Sequence, residues 1–158
     1  GYYVTVDDGD LPINWITTGD VVIPSYVKDD EGTICPVSKV GLFYCTMGFS
    51  CPGMTSIILP DTIKSISADA FHGCSGLTTI TIPAGVTSIE MGTFEYCSGL
   101  KSITIPDSVT NIASGALGLG PSDLTIYFTG TEAQWAAVTK GDLALPEVVT
   151  VICSDTEV

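Results

Sequence analysis

Leu77-Thr78-Thr79-Ile80-Thr81-Ile82-Pro83 returns 23 residues later as Leu100-Lys101-Ser102-Ile103-Thr104-Ile105-Pro106. The same interval earlier it reads Met54-Thr55-Ser56-Ile57-Ile58-Leu59-Pro60. A strand-like phrase recurring at a fixed period of this length marks a solenoid, in which each unit buries its apolar side only by stacking on its neighbours. Stacking therefore explains most of these residues, and function has to be sought elsewhere on the chain.

Period-2 alternation separates the two faces of each rung. One inward column reads Ile57, Ile80, Ile103, Ile126 and Val149, and beside it stand Leu59, Ile82, Ile105, Phe128 and Val151. The residues between them point the other way: Ile58, Thr81, Thr104, Tyr127 and Thr150, flanked by Ser56, Thr79, Ser102 and Thr125. β-branched side chains carrying one hydroxyl suit a parallel sheet whose exposed side is wet yet still favours extended backbone. Pro60, Pro83 and Pro106 have no N–H to donate, so each ends the ladder and starts a turn. A second apolar pair follows at constant offset, Ile63 and Ile66, Val86 and Ile89, Val109 and Ile112, and predicts a short strand on the far wall. Then come an anchor, Phe71, Phe94 or Leu117, and a cysteine column, Cys51, Cys74 and Cys97.

The first rung is irregular. Pro24 and Pro60 are 36 residues apart, one period plus 13. If Val37 and Val40 take the places of Ile63 and Ile66, ten of the extra residues precede Val37 and three follow Val40. The longer insert carries Lys28-Asp29-Asp30-Glu31-Gly32 and predicts a protruding hairpin. Tyr2-Tyr3-Val4-Thr5-Val6 and Ile13-Asn14-Trp15-Ile16-Thr17, around Asp7-Asp8-Gly9-Asp10, predict a second hairpin that caps the stack. At the other end Thr131-Glu132-Ala133-Gln134 has the form of a capping box and opens a short helix through Trp135 and Val138, stopped at Gly141. Trp135 is expected to cover the last rung, with an exposed binding aromatic as the alternative.

With 158 residues, the chain is one domain with a sizeable core. The organisation expected is an N-terminal cap over 1–20, a degenerate repeat over 21–53, regular repeats over 54–76, 77–99 and 100–123, and a C-terminal repeat and cap over 124–158. Eighteen acidic residues against five lysines and no arginine give a net charge of -13, which repels phosphate backbones and anionic membranes. Nucleic-acid binding is excluded on that ground. No apolar run approaches the ~18 residues a membrane helix needs, and no basic leader opens the chain. The reading favours an exported chain whose leader has been removed over a cytosolic one. The cysteine column reads as buried thiols acting as small hydrophobes, although stacked rungs ~4.8 Å apart also fall within disulfide reach. A Cys35–Cys45 bridge is open, and Cys153 stands near the C-terminus.

Read from Leu77 to Gly99, the composite phrase Leu-x-x-Ile-x-Ile-Pro-x-x-Val-x-x-Ile-x-x-x-x-Phe-x-x-Cys-Ser-Gly resembles the BspA-like subclass of bacterial leucine-rich repeats. The resemblance covers about Val21 to Val151, and the ending Thr129-Gly130-Thr131-Glu132-Ala133-Gln134-Trp135 is similar to the cap of such proteins. It implies a leucine-rich-repeat solenoid: a curved right-handed coil with a parallel sheet, short strands and turns on the convex side, a hairpin cap and a helix-strand cap. It also implies export or attachment to the surface of a host-associated bacterium, some members being implicated in adhesion to host proteins, extracellular matrix or other microbes. The chain departs from the pattern where Leu117-Gly118-Leu119-Gly120 replaces the Phe and Cys columns. No functional residue carries over, because the motif is structural.

Catalytic constellations are missing from the pattern. The one histidine, His72, stands in a turn, and nearby Cys74 is predicted to point inward, whereas cysteine catalysis needs an exposed, low-pKa thiol. Gly-x-x-x-x-Gly-Lys does not occur, and Gly115-Ala116-Leu117-Gly118-Leu119-Gly120 lacks the strand and helix of a dinucleotide loop. Asp7-Asp8-Gly9-Asp10 and Asp29-Asp30-Glu31 offer oxygens to Ca²⁺ but not the spacing of a calcium loop, so solvated acidic turns are expected. No catalytic residue, metal or cofactor is assigned. The expected function is a non-catalytic module that presents Ile58, Thr79, Thr81, Ser102, Thr104, Thr125, Tyr127 and Thr150 to a protein partner. Lys28, Asp29, Asp30 and Glu31 are expected to add a loop contact. A carbohydrate-binding surface and a spacer without its own ligand are the alternatives.

Overall fold

The computed structural model describes residues 2–6, 9–13, 19–28, 31–41, 53–143 and 148–156. Strands β1 (Tyr2–Val6) and β2 (Gly9–Ile13) form an antiparallel hairpin. β3 (Gly19–Val22) opens the main sheet, and β4 (Tyr26–Lys28) pairs antiparallel with β5 (Ile34–Val40). Each regular rung then supplies one main-sheet strand and one short strand opposite it. These are β6 (Met54–Ile58) with β7 (Ser65–Ile66), β8 (Thr79–Thr81) with β9 (Ser88–Ile89), and β10 (Ser102–Ile105) with β11 (Asn111–Ile112). β12 (Asp123–Phe128) leads into helix α1 (Glu132–Ala137), β13 (Thr139–Lys140) and β14 (Val148–Cys153).

The main sheet runs β3-β6-β8-β10-β12-β14, every pair parallel. Ile57, Ile80, Ile103 and Ile126 stand in register across it, so the 23-residue period is the rung-to-rung step. All four are buried, as are Ile63, Ile66, Val86, Ile89, Val109 and Ile112 on the opposite wall. Burying one such side chain contributes about 1.5–3 kcal/mol, and these files make up the core. Each strand-ending proline does a second job: the carbonyls of Pro60, Pro83 and Pro106 accept from the N–H of Ile63, Val86 and Val109, three residues on, at 3.0–3.1 Å. The three hydrogen bonds close equivalent β-turns.

At the corner after the short strands the Phe71 and Phe94 rings stack, centroids 5.3 Å apart and planes 6° from parallel. Leu117 is buried at the same position of the next rung. Cys74 and Cys97 are buried free thiols, and the Cys97 thiol donates to the Phe71 carbonyl at 3.1 Å. Burial pushes the Cys74 thiol up to about 12 and also raises that of Cys97, where the neighbouring Cys74 adds to the effect. The thiol-ladder reading holds for this pair. Cys45 and Cys51 lie outside the described residues, and so does the bridge to Cys35 that was open.

The turn between this corner and the next strand needs a left-handed residue. Gly73 fills it in one rung, with φ of 73°. Tyr96 and Leu119 fill it in the next two, with φ of 59° and 49°. A non-glycine residue there costs about 1–2 kcal/mol, because its Cβ crowds the following carbonyl.

In the first rung Val21 pairs with Ile57 and Val22 with Ile58, the 36-residue offset that the prolines give. Val40 pairs with Ile66, and Val37 is buried, so both take the expected places. The insert forms the expected hairpin, with Val27 opposite Cys35 and Lys28 opposite Ile34. The N-terminal hairpin is tighter than the sequence reading has it. Val6 faces Gly9, so the return strand is Gly9–Ile13 and not Ile13–Thr17. A two-residue connection is the commonest hairpin link and leaves Asp10 within a strand.

The last rung corrects the register. Ile126 lies opposite Val151 and not Val149, Phe128 lies opposite Cys153 and not Val151, and Thr125 pairs with Thr150. The step here is 25 residues. Between Phe128 and Lys140, which stacks on Ile112, α1 makes the path five residues longer than from Ile105 to Ile112. The way back from Lys140 to Val151 is three residues shorter than from Ile112 to Ile126, leaving a net slip of two. An even slip keeps every side chain on its expected face. Helix α1 begins with the expected capping box: Thr131 Oγ1 accepts from the Gln134 N–H at 3.2 Å, and Gln134 Oε1 accepts from the Thr131 N–H at 2.8 Å. It ends at Ala137, since Val138 is already extended and Thr139 joins β13, a strand that the sequence pattern does not announce. Trp135 packs on Phe128, ring centroids 5.2 Å apart, and the Lys140 ammonium sits 4.5 Å from the Trp135 ring centre.

Candidate functional site

All eight expected face residues lie on the outward side of the main sheet, in two files that run across the strands. The first reads Asp20, Ser56, Thr79, Ser102, Thr125, Thr150. Ser102 Oγ donates to Thr79 Oγ1 at 3.1 Å, and Ser56 Oγ donates to the Asp20 carboxylate at 2.6 Å, so two neighbouring pairs of the file are hydrogen-bonded, one of them to an anionic end. Thr55 reaches the same Asp20 oxygen at 3.5 Å.

The second file holds Val22 beside Ile58 at one end, Thr81 beside Thr104 in the middle, and Tyr127 beside Ile152 at the other end. Val22, Ile58 and Tyr127 are 52%, 58% and 44% exposed. The face is therefore a polar strip with an apolar pair at each end, laid on a sheet whose backbone is fixed by its ladders. Asp20, Val22 and Ile152 were not among the sequence-predicted residues. The first two stand 36 positions before Ser56 and Ile58, so the spacing of Pro24 and Pro60 held the signal. Ile152 was missed because the register slips in the last rung. Thr150 keeps its outward face but stands beside Thr125, in the hydroxyl file.

The loop contact is not brought to this face. Lys28 and Glu31 are exposed at the tip of a hairpin carried by β5, and β5 pairs with β7 of the opposite wall. Asp29 and Asp30 lie outside the described residues, as do Asp7 and Asp8. Among the described residues no group of three or more His, Cys, Asp or Glu side chains could hold a metal ion, and no helix is long and apolar enough to cross a membrane. His72 is exposed in its turn, edge-on to Tyr96 at 5.3 Å and 3.8 Å from the Glu95 carboxylate, while the Cys74 thiol points into the core. At the corner of the face Lys101 donates to Asp123 at 2.8 Å, and this bond, with one from Ser122, holds the Asp123 carboxyl below its ordinary range.

Repeat period, proline turns, phenylalanine stack and thiol column now meet in one architecture. Residues 46–127 match the model of the BspA type leucine-rich repeat region, in six copies. The chain belongs to this family. Among solved structures it is similar to a leucine-rich repeat protein from Bacteroides ovatus, 26% identical with a TM-score of 0.61 over 97% of this chain. It is also similar to the leucine-rich repeat protein of T. pallidum, 25% identical with a TM-score of 0.52 over 84% of this chain and 72% of that one. This BspA-type chain spans 36% of the length of the Bacteroides ovatus protein. Comparison with curated proteins finds no match. In this chain the BspA-type repeats form a scaffold of stacked rungs that carries the two outward files.

Proposed function

We propose that this BspA-type solenoid is a non-catalytic protein-interaction module of an exported or cell-surface bacterial protein, and that it binds its partner on the outward face of the main sheet. The observation that carries this reading is the face itself: a file of hydroxyl side chains from Ser56 to Thr150, flanked by the exposed pair Val22–Ile58 and by exposed Tyr127 beside half-buried Ile152. Apolar contacts at both ends supply affinity, and hydroxyls between them supply hydrogen bonds. A rigid sheet presents them without an ordering cost. Aromatic residues carry a disproportionate share of binding energy in such interfaces, which singles out Tyr127. The hairpin tip at Lys28 and Glu31 is a second contact on another wall. Membership of the BspA-type family supports the exported or surface location.

The test is an array of extracellular-matrix and bacterial surface proteins with a glycan array beside it, probed with one preparation. Binding to a protein, weakened by Tyr127→Ala with an unchanged melting temperature, is the expected result. Removal of residues 28–32 should weaken it less. Binding to glycans alone, or a protein partner indifferent to both Tyr127→Ala and Ile58→Ser, would overturn the reading.

A further inference from the structure

A second exposed surface lies on the third side of the solenoid, along the turns that hold the phenylalanine stack. Inward, these turns bury Phe71, Phe94, Leu117 and the thiols. Outward, Met91, Tyr96 and Leu119 are 61%, 49% and 59% exposed. Tyr96 and Leu119 are the two large side chains in the left-handed position that Gly73 occupies one rung earlier. A glycine would satisfy the backbone there without strain, and about half of Tyr96 and more than half of Leu119 lie in solvent, so packing within the chain, which for Tyr96 includes the His72 ring, returns only part of that cost. Strain held at exposed positions points to a use outside the fold.

The rim decides what would use it. Glu90, Glu95 and Asp69 are half-buried around the patch. The lysines are placed elsewhere: Lys28 and Lys39 on the first-rung hairpin, Lys64 in a proline turn, Lys101 on Asp123, and Lys140 over Trp135. A second copy of the chain brings another charge of -13, which opposes self-association here. We propose that Met91, Tyr96 and Leu119, with Glu90 and Glu95, form a docking site for a basic amphipathic segment of a partner protein, on a wall separate from the main-sheet face. Its apolar side chains would cover Met91 and Leu119, its cations would pair with the rim carboxylates, and a lysine or arginine would lie against the Tyr96 ring, which stands T-shaped to His72 at 5.3 Å.

The experiment titrates the intact chain into a labelled synthetic peptide of alternating lysine and leucine, followed by anisotropy. A lysine-glycine peptide of equal charge and a glutamate-leucine peptide of equal apolarity serve as comparators. The expected result is binding of the first at least about tenfold tighter than either comparator. The double substitution Tyr96→Gly with Leu119→Gly leaves the net charge unchanged and should lose about that factor, with a melting temperature equal to or above wild type. The pair Tyr96→Asn with Leu119→Asn, which keeps a residue tolerant of left-handed backbone, repeats the measurement should the glycines loosen the turn. Tyr127→Ala should bind the peptide as wild type does, which separates this site from the sheet face. Wild-type affinity in both double variants, equal binding of the glutamate-leucine peptide, no binding at all, or a lowered melting temperature in both double variants would overturn the proposal.

Discussion

Phe71 and Phe94 stack ring on ring, 5.3 Å between centroids and 6° between planes, although 23 residues of chain separate them. Each ring fills the gap under the next rung, so truncating one opens a cavity that two rungs share. Phe94→Ala is expected to cost about 3–5 kcal/mol in a urea titration. Phe94→Leu should cost much less, since Leu117 fills the same position one rung later.

Two glycines separate backbone contact from backbone strain. A Cβ on Gly99 would stand 2.3 Å from the carbonyl oxygen of Ser75 in the previous rung, and neither backbone has room to give. Gly99→Ala should destabilise by about 2–3 kcal/mol by forcing rungs apart. Gly115 has φ of 69° and open space around it, so Gly115→Ala should cost only the left-handed penalty of about 1–2 kcal/mol. Thermal unfolding of both variants tests the ranking.

The buried thiols predict a loss of stability in alkali. The Cys74 thiol rises from an ordinary value of 9.0 to about 12 in the folded chain, so above pH 9 the unfolded chain releases a proton that the native one keeps. The stabilisation is intact below that pH and falls as pH climbs toward 12, by about 1.4 kcal/mol per unit for each such thiol. Cys74→Ala should flatten the slope measured between pH 9 and 11. In the native chain Cys74 and Cys97 should resist a thiol reagent at pH 8 and react once urea unfolds the rungs.

Helix α1 spans six residues, Glu132–Ala137, and rests on its cap. Thr131→Ala removes the acceptor for the Gln134 N–H and should cost about 1 kcal/mol. Faster amide exchange at Gln134 and Val138, with β10 unchanged, would show that the loss stays local.

The rungs from Met54 to Phe128 were legible because one inward isoleucine per strand, one proline and one phenylalanine recur at the same offset, and each feature follows from stacking. The first rung was legible by counting, since Pro24 and Pro60 bracket the insert. The path around α1 was not. No periodic residue marks β13, where Lys140 stands in the place of Ile112 and Thr139 in that of Asn111, and the five residues added there are partly offset by three lost on the way back. The candidate face was legible residue by residue, because alternation alone fixes which side chains look outward. Its apolar ends were harder to see, for Val22 lies beyond the insert and Ile152 beyond the slip. The left-handed turn at Tyr96 and Leu119 gave no sign, since neither residue type favours that backbone.

The two-residue displacement of β14 sets a rule for rebuilding this stack. Connecting segments between strands can be lengthened or trimmed, as the helix shows, provided the change in chain count ahead of a strand is even or is absorbed in the turn. An odd change carried into the pairing would turn that strand over, sending Val151 to solvent and Ile152 into the interior. Loops of this chain are thus open to grafting, and the arithmetic parity of the graft decides whether the strand after it still faces the same way.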